Sequence, residues 1–196
     1  AASVVLTAID EPMFENDETV VIDMTCDPNC DETTPQQQTV TILNDDPPPT
    51  VTLFVESASI HENAASGTTT TAVTVTLNTK SSFKVEVTLE TSGTASSTDF
   101  TLSRLISIPA GSVVGSVTLS GVADSRDEND ETVVIDMTCD PEFCTENPLQ
   151  QQTVILLDDT PPPDVTLSIG NSQINEDNGS TTVTATLKTV SDLNVT

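Results

Sequence analysis

Thr71-Ala72-Val73-Thr74-Val75-Thr76-Leu77 places Val73, Val75 and Leu77 at every second position, with threonines between them. Successive side chains of an extended chain point to opposite faces, so the apolar three share one face and Thr74 and Thr76 the other. Phe83-Lys84-Val85-Glu86-Val87-Thr88-Leu89 and Ser116-Val117-Thr118-Leu119 repeat the alternation. Thr and Val are the dominant residues, and β-branched side chains suit a pleated, half-buried surface better than a helix. No stretch keeps a helical repeat over three turns. High net charge with few aromatics is the usual signature of disorder; the alternation assigns a folded all-β chain instead.

The chain also repeats itself. Glu15-Asn16-Asp17-Glu18-Thr19-Val20-Val21-Ile22-Asp23-Met24-Thr25-Cys26-Asp27-Pro28 recurs residue for residue as Glu128 to Pro141. Three glutamines then precede a Thr-Val strand in both copies (Gln36 to Gln38, Gln150 to Gln152), and an acidic pair leads into Pro47 to Pro49 and Pro161 to Pro163. Beyond the prolines, Val51-Thr52-Leu53 matches Val165-Thr166-Leu167, and Ile60-His61-Glu62 matches Ile174-Asn175-Glu176. Such self-similarity marks tandem units. The expected division is the end of one unit over 1–46, a complete unit over 47–160 and the start of another over 161–196. Triple proline favours extended backbone and cannot join a ladder, so it reads as a semi-rigid spacer.

Within the complete unit the sequence predicts seven strands, near 51–57, 71–78, 83–90, 102–108, 114–122, 131–138 and 151–157. Polar or Gly- and Pro-bearing turns such as Pro109-Ala110-Gly111-Ser112 separate them. Seven short strands in this span predict an antiparallel β-sandwich of immunoglobulin type. The expected core is Val73, Val75, Leu77, Val85, Val87, Leu89, Leu102, Val117, Leu119, Val133, Ile135, Met137, Val154 and Leu156.

Composition narrows the function classes. The 196 residues include 31 acidic and 5 basic side chains, for a formal charge of −26, with no Trp, no Tyr and one His. So few cations cannot neutralise nucleic-acid phosphates or an anionic membrane surface. No apolar run approaches the roughly 18 residues of a spanning helix. There is no Gly-x-Ser-x-Gly, no phosphate-cradling glycine loop and no base–nucleophile pairing around the single His61, so nothing points to an enzyme.

The ordered motifs Val-Thr-Leu … Ile-x-Glu-Asn, Ser-Gly-Thr-Ala … Thr-Asp-Phe, Ile-Pro-Ala-Gly-Ser, Asp-x-x-x-Glu-x-Asp-Glu-Thr and Thr-Val-x-x-Leu-x-Asp-Asp resemble the Calx-β domain. That module is known from sodium–calcium exchangers, integrin tails and many large extracellular proteins. The resemblance covers essentially the whole chain, as one full copy and two partial ones. It implies an immunoglobulin-like sandwich and, in many members, calcium at one end.

Strand parity leads to the same place independently. If successive strands alternate in direction, the connections after strands one, three and five share one end with the tail after strand seven. Those segments hold Glu62, Asp99, Asp124, Glu128, Asp158 and Asp159. Calcium takes 6–8 oxygen ligands, and gathered carboxylates repel unless a cation sits among them. By resemblance, the same positions carry calcium in binding members; Ala123 and Thr160 stand where further acids are common. The partial copies keep Glu11, Glu15, Asn44, Asp45 and Asp46 before the complete unit, and Glu176 after it. The other reading open for these acids is solvated loop charge.

Cys26-x3-Cys30 and Cys139-x4-Cys144 each lie in the hairpin loop before a last strand. Two thiols without a nearby His are half a zinc site, so a short disulfide loop is the better reading, and it implies an oxidising, extracellular compartment. Asn178-Gly179-Ser180 and Asn194-Val195-Thr196 are glycosylation sequons, which makes glycans a candidate partner. Ala1 aligns with Val114 and Thr196 with Glu86. The chain is then either a window on a longer array or one whose ends pair between copies, building a head-to-tail filament. The functional expectation is an extracellular, calcium-bound structural or adhesive fibre of self-associating units. The alternatives are a calcium-sensing regulatory module and an accessory module of a large secreted enzyme.

Overall fold

The computed structural model describes residues 2–31, 36–146, 148 and 150–195. Its strands are β1 (Met13–Phe14), β2 (Glu18–Asp23), β3 (Gln37–Ile42), β4 (Thr50–Val55), β5 (Ser59–His61), β6 (Thr70–Leu77), β7 (Lys80–Ser81), β8 (Val85–Gly93), β9 (Phe100–Leu102), β10 (Leu105–Ile108), β11 (Val114–Gly121), β12 (Glu131–Cys139), β13 (Thr145–Glu146), β14 (Gln151–Leu157), β15 (Val165–Ile169) and β16 (Val183–Leu187). No described residue is helical, and no helix is long and apolar enough to cross a membrane.

Two five-stranded sheets, ordered β10-β8-β12-β14-β5 and β13-β4-β6-β11-β9, face each other as an immunoglobulin-like sandwich. The alternation read from the sequence is the alternation of burial: along β6 the side chains of Val73, Val75 and Leu77 are buried, as are Val85, Val87 and Leu89 along β8. Burying such a side chain is worth roughly 1.5–3 kcal/mol relative to leaving it in water, so a one-residue slip in register would turn each strand's apolar set outward.

Over 47–160 the described residues form eleven strands instead of the expected seven: one expected strand is cut short and followed by β5, another divides, and β7 and β13 are short additions. The expected strand 51–57 stops at Val55 as β4, which pairs with β6 in one sheet, and an unexpected strand, β5, follows it and runs parallel to β14 in the other. Ser57 makes the step: its hydroxyl donates to Ser59 O at 2.8 Å and its N–H to Thr71 Oγ1 at 2.9 Å. The expected strand 102–108 divides at Ser103, whose hydroxyl bonds Leu105 O, leaving β9 on β11 and β10 on β8. Short hydroxyl side chains that bond nearby backbone replace ladder bonds at such kinks. As a consequence Leu102 and Val117 pack against the core half-buried, and Val51, Leu53, Val55, Ile60, Ile106, Ile108 and Cys144 join it.

The exposed edge of β4 is covered by side chains. β13 pairs only with Thr50 and Val51. Beyond it, Gln150 accepts from Leu53 N at 2.8 Å and donates to Val51 O at 2.9 Å, while Gln152 donates to Leu53 O. The carboxamide stands in for a neighbouring peptide and blunts an edge that would otherwise pair with another chain.

The flanking segments form two hairpins, β2–β3 and β15–β16. Their apolar faces carry side chains open to solvent, Val21 and Leu167 among them. The cysteines pair as Cys26–Cys30 and Cys139–Cys144, with Cα separations of 5.7 and 6.0 Å.

Candidate functional site

The strand ends fix one acidic pole. Because β8 and β12 are antiparallel, Glu131 at the start of β12 lies toward Gly93 at the end of β8, and Cys139 lies opposite Val87. Acidic and cysteine-bearing segments therefore occupy opposite ends of the sandwich.

Glu62 is the most enclosed of the expected site residues, at 7% exposure. Its N–H bonds Leu157 O, continuing the parallel pairing of β5 with β14. Gly121 passes so close that a Cβ there would lie 2.6 Å from His61 O and 3.2 Å from the Glu62 Cα. The Glu62 carboxylate has no hydrogen-bond partner among the described residues. Burial first, then repulsion from Asp158, Asp124, Glu128 and Asp99, pushes its pKa up to about 7. Those four are expected site residues, so the structure brings four of the other five within electrostatic reach of Glu62.

The sixth, Asp159, has a different task. Its two oxygens accept from His61 Nδ1 and Asn63 N, each at 2.9 Å. It pins the tail of the sandwich to the loop that carries Glu62.

Asp99 is placed by the turn after β8. Gly93 has φ 116° and a Cβ there would meet Thr132 O at 2.2 Å, so only glycine fits. Thr94 N and Ala95 N then both bond Thr132 O, and Asp99 accepts from Ser96 N at 2.6 Å and from the Thr98 hydroxyl at 3.0 Å. Burial works against the Asp99 charge, but the bonds from Ser96 and Thr98 outweigh it and hold the pKa below the ordinary value.

Beside Asp99 stands Glu131, a residue the sequence reading did not select. Burial and then the Asp99 carboxylate raise its pKa, and its Oε2 is buried with no hydrogen-bond partner. Glu131 opens β12 on the face that carries the buried Val133, Ile135 and Met137, so strand alternation itself turns it inward at the pole. Glu128 N bonds Asp158 Oδ2 at 3.3 Å, and Asp124 accepts from Arg126 N at 2.7 Å. Burial, a shared hydrogen bond with Asp192 and the neighbouring charges push Glu128 up to about 7.

The 1–46 segment reproduces part of this pattern. Glu11, Glu15, Glu18, Asn44, Asp45 and Asp46 line one cleft, and Asp46 accepts from Met13 N at 3.1 Å. Glu176 lies in an exposed turn with Asn178, a sequon residue at φ 61°; Asn194 is also exposed, and Thr196 of its sequon lies outside the described residues.

Among the described residues no three His, Cys, Asp or Glu side chains are arranged to hold a metal ion as they stand. The donor set nevertheless suits a hard cation: all oxygen, negatively charged, with the Glu131 oxygen orphaned and Glu62 unpaired inside it.

No protein-family model and no curated protein matches the chain. Solved structures do. The apo form of the Calx CBD1 domain is 27% identical, with a TM-score of 0.45, over 56% of this chain and 98% of that one. A CBD12 structure from CALX1.2 is 26% identical with a TM-score of 0.45, and this chain spans 45% of its length. The calcium binding domain CBD12 of CALX1.1 is 19% identical with a TM-score of 0.45, over 72% of this chain and 77% of that one.

Proposed function

We propose that the chain is a calcium-binding, non-enzymatic module from a tandem array of Calx-β-like sandwiches, divided at 1–46, 47–160 and 161–196. Glu62, Asp99, Asp124, Glu128 and Asp158 would hold the ion, joined by Glu131, with Asp159 positioning the loop. The observation that carries this reading is the Glu62 carboxylate, 7% exposed, without a hydrogen-bond partner among the described residues, and faced by four other carboxylates. Burying an unpaired charge beside like charges is costly. A divalent cation removes that cost and supplies no chemistry beyond charge and coordination. Within a chain of net charge −26 it also relieves long-range repulsion.

The pairings Cys26–Cys30 and Cys139–Cys144 support an oxidising, extracellular setting. The repeated segments and proline spacers support a structural or adhesive fibre, with glycans on the sequons as a further partner. Calorimetric titration of the full chain with calcium tests the ion: saturable heat that Glu62→Gln abolishes supports it, and no heat up to millimolar calcium refutes it. Electron microscopy of native material with and without EGTA tests the fibre. Filaments with a repeat of one sandwich length support it; monodisperse globules refute it.

A further inference from the structure

The same main-chain contact joins consecutive units at both junctions. At the first, Met13 and Phe14 pair in parallel with Lys80 and Ser81, and Ser82 N donates to Phe14 O at 2.9 Å. At the second, Asp127 bridges Ser191 in parallel, and Asp192 N donates to Asp127 O at 3.0 Å. The two sets coincide when the repeat is superposed: Phe14 corresponds to Asp127, and Ser81 and Ser82 to Ser191 and Asp192.

Side chains differ across this correspondence except at Ser81 and Ser191, whose hydroxyls each accept from the N–H two residues on, Phe83 N at 3.0 Å and Leu193 N at 3.1 Å. Phe14 packs on Phe83 with ring centroids 5.4 Å apart, and Phe83 on Phe143 of the disulfide loop at 5.5 Å. In the second junction Arg126 donates twice to Asp192, both bonds at 2.8 Å, and the buried Asp127 accepts from the Ser191 hydroxyl at 2.7 Å. A geometry kept while the side chains around it change from aromatic to ionic is set by what stays constant, the peptide groups and the one serine that shapes the hairpin. It also places the acidic end of one unit against the hairpin beside the cysteine-bearing end of the next.

We propose that this is a built interaction surface whose partner is the adjacent unit of the same chain. The turn before the sixth strand of one sandwich docks, strand to strand, on the hairpin between the second and third strands of its successor. The inference rests on the tandem reading of the units but not on the ion. A parallel main-chain bridge fixes direction and register together, so successive units are held at one mutual orientation, and the array is a stiff rod even without calcium. Phe143 gives the disulfide loop a use: closing the loop holds that ring against Phe83.

The test is distance measurement by pulsed electron resonance on the full chain. Spin-labelled non-natural residues at Thr19 and Glu90 span the first junction; Glu90 and Thr184 span the second. Each pair is measured in calcium and in EGTA. The expected result is one narrow distance across both junctions in both conditions. Ser82→Pro, which removes the N–H that Phe14 O accepts, and Phe14→Ala lose the narrow distance across the first junction only. Asp192→Pro and Arg126→Ala lose it across the second only, and molar salt imitates Arg126→Ala. All four positions lie outside the sandwich core, whose unfolding temperature serves as the control. Broad distributions in the unsubstituted chain, or narrow ones that survive both variants of a junction, overturn the proposal. Narrow distances in EGTA from a chain that binds no calcium uphold the docking while removing the ion.

Discussion

His61 Nδ1 lies 2.9 Å from Asp159 Oδ1, joining the loop after the first strands to the tail of the sandwich. Burial works to raise the Asp159 pKa, but bonds from Asn63 N, His61 and Ser66 outweigh it, so the carboxyl stays below its ordinary value. A depressed folded-state pKa gives stability that is complete above the unfolded value and is lost as pH falls through the folded one. Asp159→Asn should cost roughly 1–2 kcal/mol at pH 6 by urea unfolding. The gap from the parent should narrow below pH 4; a gap independent of pH would contradict the assignment.

Glu62 has the opposite sign. Its pKa stands at about 7 against an ordinary 4.5, burial being the largest cause. A raised folded-state pKa gives stability that is complete below the unfolded value and is lost as pH rises through the folded one. In EGTA the chain should therefore lose stability between pH 5 and pH 8, by on the order of 3 kcal/mol from this group. Glu62→Gln should flatten that slope and be the more stable protein at pH 8. An unchanged slope in thermal melts would show that the pole is not what titrates.

Gly93 and Gly111 separate steric need from mere backbone preference. Both have positive φ, 116° and 77°, but a Cβ meets Thr132 O at 2.2 Å in the first and nothing within 4 Å in the second. Gly111→Ala should cost about 1 kcal/mol, and Gly93→Ala more than ~3 kcal/mol, since the turn that carries Asp99 must move. Equal losses in chemical denaturation would contradict this.

The fold was legible where burial is one-sided. Period-2 alternation in Thr71–Leu77 and in Phe83–Leu89 reports the sandwich directly, because each strand has one wet and one dry face. Ser57 and Ser103 hid the early strand end and the strand division, since a serine kink and a serine on a strand's wet face look alike in sequence. At the pole, parity alone collects Glu62, Asp99, Asp124, Glu128 and Asp158, whose separation along the chain says nothing of their proximity. Counting only the connections passes over Glu131, the first residue of β12 on its inner face, and Asp192, which lies beyond the tail of the sandwich and shares a hydrogen bond with Glu128. Parity also treats Asp158 and Asp159 as equals, whereas the hydrogen bonds from His61 and Asn63 tie Asp159 to the loop after β5 instead.

Gln150 makes a further prediction about the sheet edge. Its carboxamide brackets β4 through Leu53 N and Val51 O. Gln150→Ala should lower stability by roughly 1–2 kcal/mol and speed amide exchange at Leu53. It should also increase self-association through the uncovered edge. Protection at Leu53 equal to the parent's would show that the bracket contributes nothing.

The central claim is that carboxylates from distant turns of one sandwich share a single calcium ion. Anomalous scattering from crystals of the full chain grown in calcium tests it most directly. The expected map has a calcium peak enclosed by oxygens of Glu62, Asp99, Asp124, Glu128 and Asp158, with Glu131 beside it and Asp159 still bonded to His61. A map with no peak there, and with Glu62 as unpartnered as in the ion-free chain, would contradict it.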